Sequence, residues 1–320
     1  MDDLSAGTLV RHATLGLGRV VALEPTAVHV FFPGGESRFA AKLRLPDARR
    51  LLSLEAAGHD PWLEGLTTFA LDADTRRYAL AATWITHEQA VAQFTAAWPG
   101  GFSGEAYLAP GGRAGAWRAA GAEMEAAFGG GAAAALLADA DHRALVERAL
   151  RVLRKAAAAP GTVDLEEAEA ALADEATALP FFEALLAVLA VPSPARARFE
   201  RLFAAAGALG DGAVAWQLAT AFPFAASPAK QVFLSPRIAS AAADRLGFDL
   251  RLDAAPAWSA YAALRTFSEG LLERLRPLGA RDLVDVESFL HAVATTRRPG
   301  AAAGRSRAAR PSAARPKKAR

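Results

Sequence analysis

Gly7-Thr8-Leu9-Val10-Arg11-His12-Ala13-Thr14-Leu15-Gly16-Leu17-Gly18-Arg19-Val20-Val21 begins a series of short strands, and its reading decides the fold of the first fifty residues. Thr8 to His12 reads as one strand, Leu15-Gly16-Leu17-Gly18 as a turn, and Arg19 to Glu24 as a second strand that Pro25 ends. β-Branched and aromatic residues fill Ala27 to Phe32, after which Pro33-Gly34-Gly35 is expected to turn the chain into a strand from Glu36 to Ala40. Period-two alternation puts Val28, Val30 and Phe32 on one face and His29 and Phe31 on the other. Four or five strands this short bury little unless they close on themselves, so a small barrel over residues 1–55 is the expectation.

The same residues resemble a known family. G-x-x-V-x-H-x-x-aromatic-G-x-G-x-V is the opening pattern of the Tudor-like domain at the C-terminus of UvrD-type helicases, and Gly7 to Val21 follow it, with Leu15 in the aromatic position. Val28-His29-Val30-Phe31-Phe32 and Lys42-Leu43 are similar to the rest of that domain, and CarD-type transcription regulators share a related barrel. What the resemblance implies is an SH3/Tudor-like barrel that contacts RNA polymerase or another protein, with DNA nearby. No G-x-x-x-x-G-K-[ST] occurs in the chain, so no P-loop motor accompanies the barrel.

Within the barrel, Arg11, His12, Arg19, Phe31 and Arg38 are the candidate partner-binding residues. An outward Phe31 flanked by arginines has the makeup of an interface anchor; the competing expectation packs Phe31 under the segment from Pro46 to Leu54. His12 either touches a partner or ties the glycine turn by bonding to backbone. Gly16 and Gly18 suit a turn better than a phosphate cradle, since a dinucleotide fingerprint needs a third glycine and a following helix. A methyl-lysine cage is disfavoured, because the barrel offers only Phe31, Phe32 and Phe39.

At 320 residues with 52% hydrophobic content, the chain suits two folded domains and a tail. The absence of cysteine excludes disulfides, thiolate metal sites and a cysteine nucleophile. Met1-Asp2-Asp3 is acidic and Ala184 to Val191, the most apolar stretch, is too short to span a bilayer, so a cytoplasmic protein with no membrane partner is expected. The formal charge of +2 conceals an asymmetry: Arg297 to Arg320 carry nine basic residues and no acid, leaving 27 basic against 34 acidic residues before them. A body that is net acidic is a poor general nucleic-acid binder, whatever the overall isoelectric point.

Beyond residue 55 the pattern is helical. Thr86-x-x-Gln89 makes a capping box, Ala90, Val91, Phe94 and Trp98 follow at helical spacing, and Pro99-Gly100 ends the run. Further helices are expected near 114–128, 141–157, 164–176, 181–191, 194–208, 212–221, 236–246, 257–275 and 282–294. Ser193-Pro194, Ser227-Pro228 and Ser235-Pro236 read as helix starts, Gly247 and Gly279 as ends. Pro99-x-Gly101-Phe102, Thr220-x-Phe222-Pro223-Phe224 and Trp258-x-x-Tyr261 resemble stretches of bacterial helical proteins without an assigned activity, which implies one coherent helical domain over 56–296 and no particular chemistry.

The helical part carries one polar cluster that suits chemistry: Asp282, Asp285 and Glu287 with Arg281 and His291. Two carboxylates three apart share a helix face and suit acid–base work or a hard metal ion; they equally suit an N-cap and a first-turn acid. Six scattered histidines give no H-x-H or H-E-x-x-H, so no metal and no cofactor is expected, and no catalytic residue is assigned. The tail, with Arg297, Arg298, Arg305, Arg307, Arg310, Arg315, Lys317, Lys318 and Arg320, is expected to be disordered and to hold DNA or RNA without sequence preference. The function expected is that of a non-enzymatic adaptor of multidomain α+β build, its barrel docked on a protein near DNA. One rival is an enzyme of unknown class, with a site near Asp282, Asp285, Trp258 and Tyr261 in the helical domain and a barrel that targets it. Another is a plain structural module whose barrel packs on the helices with no free face, which requires Phe31 and its neighbours to be buried in that contact.

Overall fold

The structure, a computed structural model, describes residues 4–35, 37–54, 58–191, 194–252 and 255–296. It is an α+β protein in which an N-terminal curled antiparallel sheet leads into a mainly helical body. Strands β1 (Leu9–His12), β2 (Gly16–Leu23), β3 (Ala27–Phe31), β4 (Ala41–Arg44) and β5 (Leu52–Ser53) pair in the order β4-β3-β2-β1-β5, with α1 (Leu45–Leu51) between the last two. Sheet curvature is helped by an irregularity in β2, where the register against β3 shifts between Val20 and Ala22.

Two glycines explain why the β1–β2 turn is so tight. Gly16 sits at φ +76°, where a side chain is strained. Gly18 is needed for space: a Cβ there would lie 2.5 Å from the Phe32 ring and 2.9 Å from the Phe31 carbonyl oxygen. The chain therefore lays Phe32 directly across β2.

The expected strand over 36–40 begins later, at Ala41. A 3-10 turn at Pro33–Gly35 uses up the residues after β3. Arg38 and Ala40 then bond to a different element: Ala40 N–H donates to Tyr78 O at 2.7 Å and Leu80 N–H to Arg38 O at 2.9 Å. The acceptor lies by a small hairpin of β6 (Ala70–Leu71) and β7 (Tyr78–Ala79), which joins the sheet to the helical body. Alternation in β3 is as expected, yet both faces are covered. Val28, Val30 and Phe32 form a small core with Val10, Val20, Ala48 and Leu52, while Phe31 joins the main core on the other side.

The helical body runs α2 (Pro61–Gly65), α3 (His87–Ala97), α4 (Glu105–Leu108), α5 (Arg113–Phe128), α6 (Ala132–Ala138), α7 (His142–Ala156) and α8 (Leu165–Ala171). It continues with α9 (Glu175–Leu189), α10 (Arg196–Leu209), α11 (Gly212–Ala226), α12 (Pro236–Leu246), α13 (Trp258–Leu275) and α14 (Leu283–Thr295). The capping box at Thr86 forms in both directions, with Gln89 N–H donating to Thr86 Oγ1 and Thr86 N–H to Gln89 Oε1. Gly247 takes the left-handed conformation at the end of α12, and Gly279 follows the turn after α13.

Proline misdirects the sequence reading in two places. Pro180 and Pro223 were expected to lie outside helices, yet each sits within one, α9 and α11. Each forfeits one backbone bond, and the apolar packing of Phe181, Phe182, Phe222 and Phe224 outweighs that loss. Ser227-Pro228 starts no helix: Ser227 closes α11, and the Pro228 carbonyl accepts from Leu283 N–H at 3.1 Å. Ser193 lies outside the described residues.

Candidate functional site

The N-terminal residues singled out by sequence divide between two sides of the curled sheet. Phe31 was expected outward as one alternative; it is fully buried, with ring centroids 5.2 Å from Phe69 and 5.4 Å from Trp84. Neither ring belongs to the 46–54 segment, so the second expectation for its cover is corrected too: the residues before α3 cover it. Arg19 and Arg38 are turned the same way. Arg19 Nη1 donates to Leu63 O at 3.1 Å, and Arg38 bonds to Leu80 O at 3.0 Å and Asp72 at 3.4 Å. Arg77 donates twice to Ala40 O and, with Arg38, stacks on Phe39. These side chains fasten the sheet to the helical body.

His12 occupies the turn. Its Nδ1 accepts from Thr14 N–H, Leu15 N–H and the Thr14 hydroxyl at 3.1–3.2 Å, and its ring packs edge-on to Phe32. The imidazole thus replaces backbone acceptors that a two-strand turn lacks. Arg11 is exposed on β1, opposite Leu17 and Ser53.

Beyond the contact made by Phe31, the same face of the sheet is open at its β3–β4 edge, where Ala27 pairs with Arg44 and His29 with Lys42. An outward groove of about 660 Å³ is lined by Pro25, Thr26, Ala27, Lys42, Arg44, Leu45 and Pro46. Prolines at both ends, with Ala27 and Leu45, give it an apolar floor; Lys42 and Arg44 stand on its rim. Lys42 Nζ is held by Glu24 at 2.7 Å, and Glu24 also accepts from the buried His29 Nε2–H at 2.8 Å, so its carboxyl is held below the usual range. The Arg44 guanidinium has no such partner among the described residues. Residues 4–54 carry seven basic and three acidic side chains, whereas residues 55–296 carry twenty basic and twenty-nine acidic. A basic sheet therefore sits on an acidic helical body.

The acidic cluster of α14 is internal. Asp282 caps the helix, accepting from Val284 N–H at 3.0 Å, and pairs with Arg118 at 3.2 Å. Asp285 is fully buried and accepts from Tyr107 Oη at 2.6 Å, from Arg281 N–H at 2.7 Å and from two guanidinium nitrogens of Arg281 at 3.0 Å. Burial, then the Asp285 charge, pushes the Tyr107 hydroxyl pKa far above its ordinary value, so Tyr107 is a permanent donor. Glu287 takes both arms of the buried Arg113, whose third nitrogen donates to Pro160 O at 2.7 Å. His291 lies beside this pair, its pKa lowered to about 4 by burial and by Arg113. Tyr261 belongs to a different neighbourhood, where it bonds Gln231 and stacks on Phe199 at 4.7 Å. Trp258 packs against Tyr261 at 5.7 Å, but among the described residues no hydrogen bond joins either to Asp282 or Asp285, and the Asp285 lone pairs are filled.

Among the described residues no group of three or more His, Asp or Glu is placed to hold a metal ion, and no helix is long and apolar enough to cross a membrane. The basic tail residues, Arg297 to Arg320, lie outside the described residues. Sequence reasoning noted Tyr107 beside Pro99-x-Gly101-Phe102 but missed its bond to Asp285, and it missed the groove. The signal for the groove was there: two prolines bracket a segment with Lys42 and Arg44 at period two, which is the signature of an exposed charged strand. Compared with known proteins, the chain matches no family model, no curated protein and no solved structure.

Proposed function

We propose that this chain is a non-enzymatic accessory protein whose N-terminal sheet docks on another protein through the groove at its β3–β4 edge, with the helical body as a mount. The observation that carries the reading is the division of labour along one face of the sheet, between its centre and its β3–β4 edge. Phe31, Arg19 and Arg38 are spent on the intramolecular contact, while Pro25, Ala27, Leu45 and Pro46 line an open groove beside Arg44, which has no ion-pair partner among the described residues. A concave apolar floor with a few charged groups on its rim is the usual makeup of a recognition site. The sheet's resemblance to the Tudor-like domain of UvrD-type helicases and to CarD-type regulators makes RNA polymerase the first partner to test. In this reading the basic tail adds a sequence-blind, salt-sensitive grip on DNA or RNA.

The enzyme alternative has less to stand on. Its carboxylates act as a helix cap and as the acceptors of buried ion pairs, roles that hold a fold together.

The test is capture from nuclease-treated lysate by the full chain and by Lys42→Glu/Arg44→Glu. Both positions are exposed, so the fold should survive. Recovery of RNA polymerase, or of one other protein, by the parent chain and its loss in the variant supports the reading. Equal recovery by the two would place docking elsewhere.

A further inference from the structure

We infer that the groove beside β4 takes a short acidic segment of a partner protein, with one apolar side chain seated on the floor and carboxylates on Arg44 and Lys42. The inference rests on the reading of the sheet as a docking module and adds the chemistry of what docks.

Three observations choose this occupant. The floor is made of Pro25, Ala27, Leu45 and Pro46, an apolar surface on which an aliphatic side chain can be seated. No aromatic side chain lines it, so it lacks the platform on which the bases of single-stranded nucleic acid stack. The rim is cationic and incompletely neutralised: Lys42 is matched by Glu24, but the Arg44 guanidinium, at the start of α1, has no partner among the described residues. Arginine prefers a planar, two-oxygen acceptor, which a carboxylate supplies.

Charge also argues against the corresponding sheet of a second copy, since two surfaces each carrying seven basic and three acidic residues repel. An acidic segment approaching this sheet is attracted to it and is turned away from the body, where twenty-nine acidic residues face twenty basic ones. The field thus steers the segment to the sheet, and the groove fixes its position.

The experiment uses the full chain and a fluorescent twelve-residue peptide of Asp and Glu with one central Leu, read by anisotropy at moderate salt. Controls are the same peptide with Leu→Ser, a peptide with Lys in place of every acid, and a single-stranded oligonucleotide as competitor. The tail is present in every protein used, so its contribution cancels in the comparison with Arg44→Glu. The inference predicts binding that weakens roughly tenfold in Arg44→Glu and falls again with Leu→Ser, and that the oligonucleotide removes only the part shared with the variant. Unchanged binding in Arg44→Glu overturns it, as does preference for the Lys peptide, complete displacement by the oligonucleotide, or no binding at all. Sedimentation showing a dimer that Arg44→Glu dissolves would overturn it in favour of a second copy. If the peptide fails while the lysate capture still depends on Lys42 and Arg44, the sheet remains a docking module and only the acidic chemistry is wrong.

Discussion

Tyr107 Oη donates to the fully buried Asp285 carboxylate at 2.6 Å, joining α4 to α14 across 178 positions of sequence. The bond fixes the last helix against the centre of the body, and Arg281 closes the other side of the same carboxylate. Tyr107→Phe keeps the ring and removes only the donor. It should cost about 1–3 kcal/mol, because a buried acceptor loses one partner. Urea unfolding of the two proteins measures it; a loss under half a kcal/mol would show that Arg281 alone satisfies Asp285.

Arg113 and Glu287 are the more deeply enclosed pair, with side chains 1% and 9% exposed. Arg113→Met strands a buried carboxylate and should destabilise by about 3–5 kcal/mol, whereas Arg113→Met with Glu287→Leu should recover most of that. The double-mutant cycle isolates the coupling between the two charges. A double variant as unstable as the single would mean that Arg113 acts mainly through its bond to Pro160.

Gly18 is where the sheet is most sensitive to a single methyl. Gly18→Ala drives a Cβ into Phe32 and the Phe31 carbonyl, both neighbours of β2, and should cost about 1–3 kcal/mol through overpacking. Gly34→Ala, with nothing within 4 Å of its Cβ, is the control and should be nearly neutral. Thermal unfolding of both variants reads the difference directly.

Two histidines set the acid response. Burial, with Arg274 adding to it, lowers the His87 pKa from 6.5 to about 4, and burial with Arg113 does the same for His291. Both rings are neutral in the fold at pH 7. Between about pH 4 and 6.5 the unfolded chain binds more protons than the folded one, so stability rises with pH across that window. Stability should therefore be level above pH 7 and fall as the pH drops through 6.5 towards 4. Unfolding midpoints across that range check the slope, and imidazole titrations by NMR near 4 for both residues check its source.

Much of this architecture was legible in the sequence, and the failures share a cause. Alternation in Ala27 to Phe32 placed Val28, Val30 and Phe32 together, and the capping box at Thr86 marked α3 to the residue, because both patterns are local. What covers Phe31 was not local: Phe69 and Trp84 lie more than thirty residues on, in a stretch whose hairpin is only two residues a strand. The displaced β4 has the same origin, since residues 38–40 are claimed by Tyr78 and Leu80. Pro180 and Pro223 fall just outside the expected helices at 181–191 and 212–221, yet both lie within one, because tertiary burial outweighs the backbone bond each proline forfeits. Among the candidate site residues, His12 carried its role in its own turn, whereas the fate of Arg19 and Arg38 depended on carbonyls more than forty residues away.

The sheet and body share a core through Phe31, so they should unfold together. Phe31→Ala empties a site between them and should cost about 3–5 kcal/mol in a single transition seen equally by tryptophan fluorescence and by far-ultraviolet dichroism. Two separate transitions would mean that the sheet is an independent unit.

The most direct test of the docking claim is photo-crosslinking from Thr26, in the groove, with the same photoreactive side chain at Glu169 on the exposed face of α8 as the reference. A docking sheet predicts one discrete protein adduct from Thr26 in cells, absent from Glu169 and lost in Arg44→Glu. The same adducts from both positions, or none from Thr26 while Glu169 gives one, would contradict it and move the interaction surface to the helices.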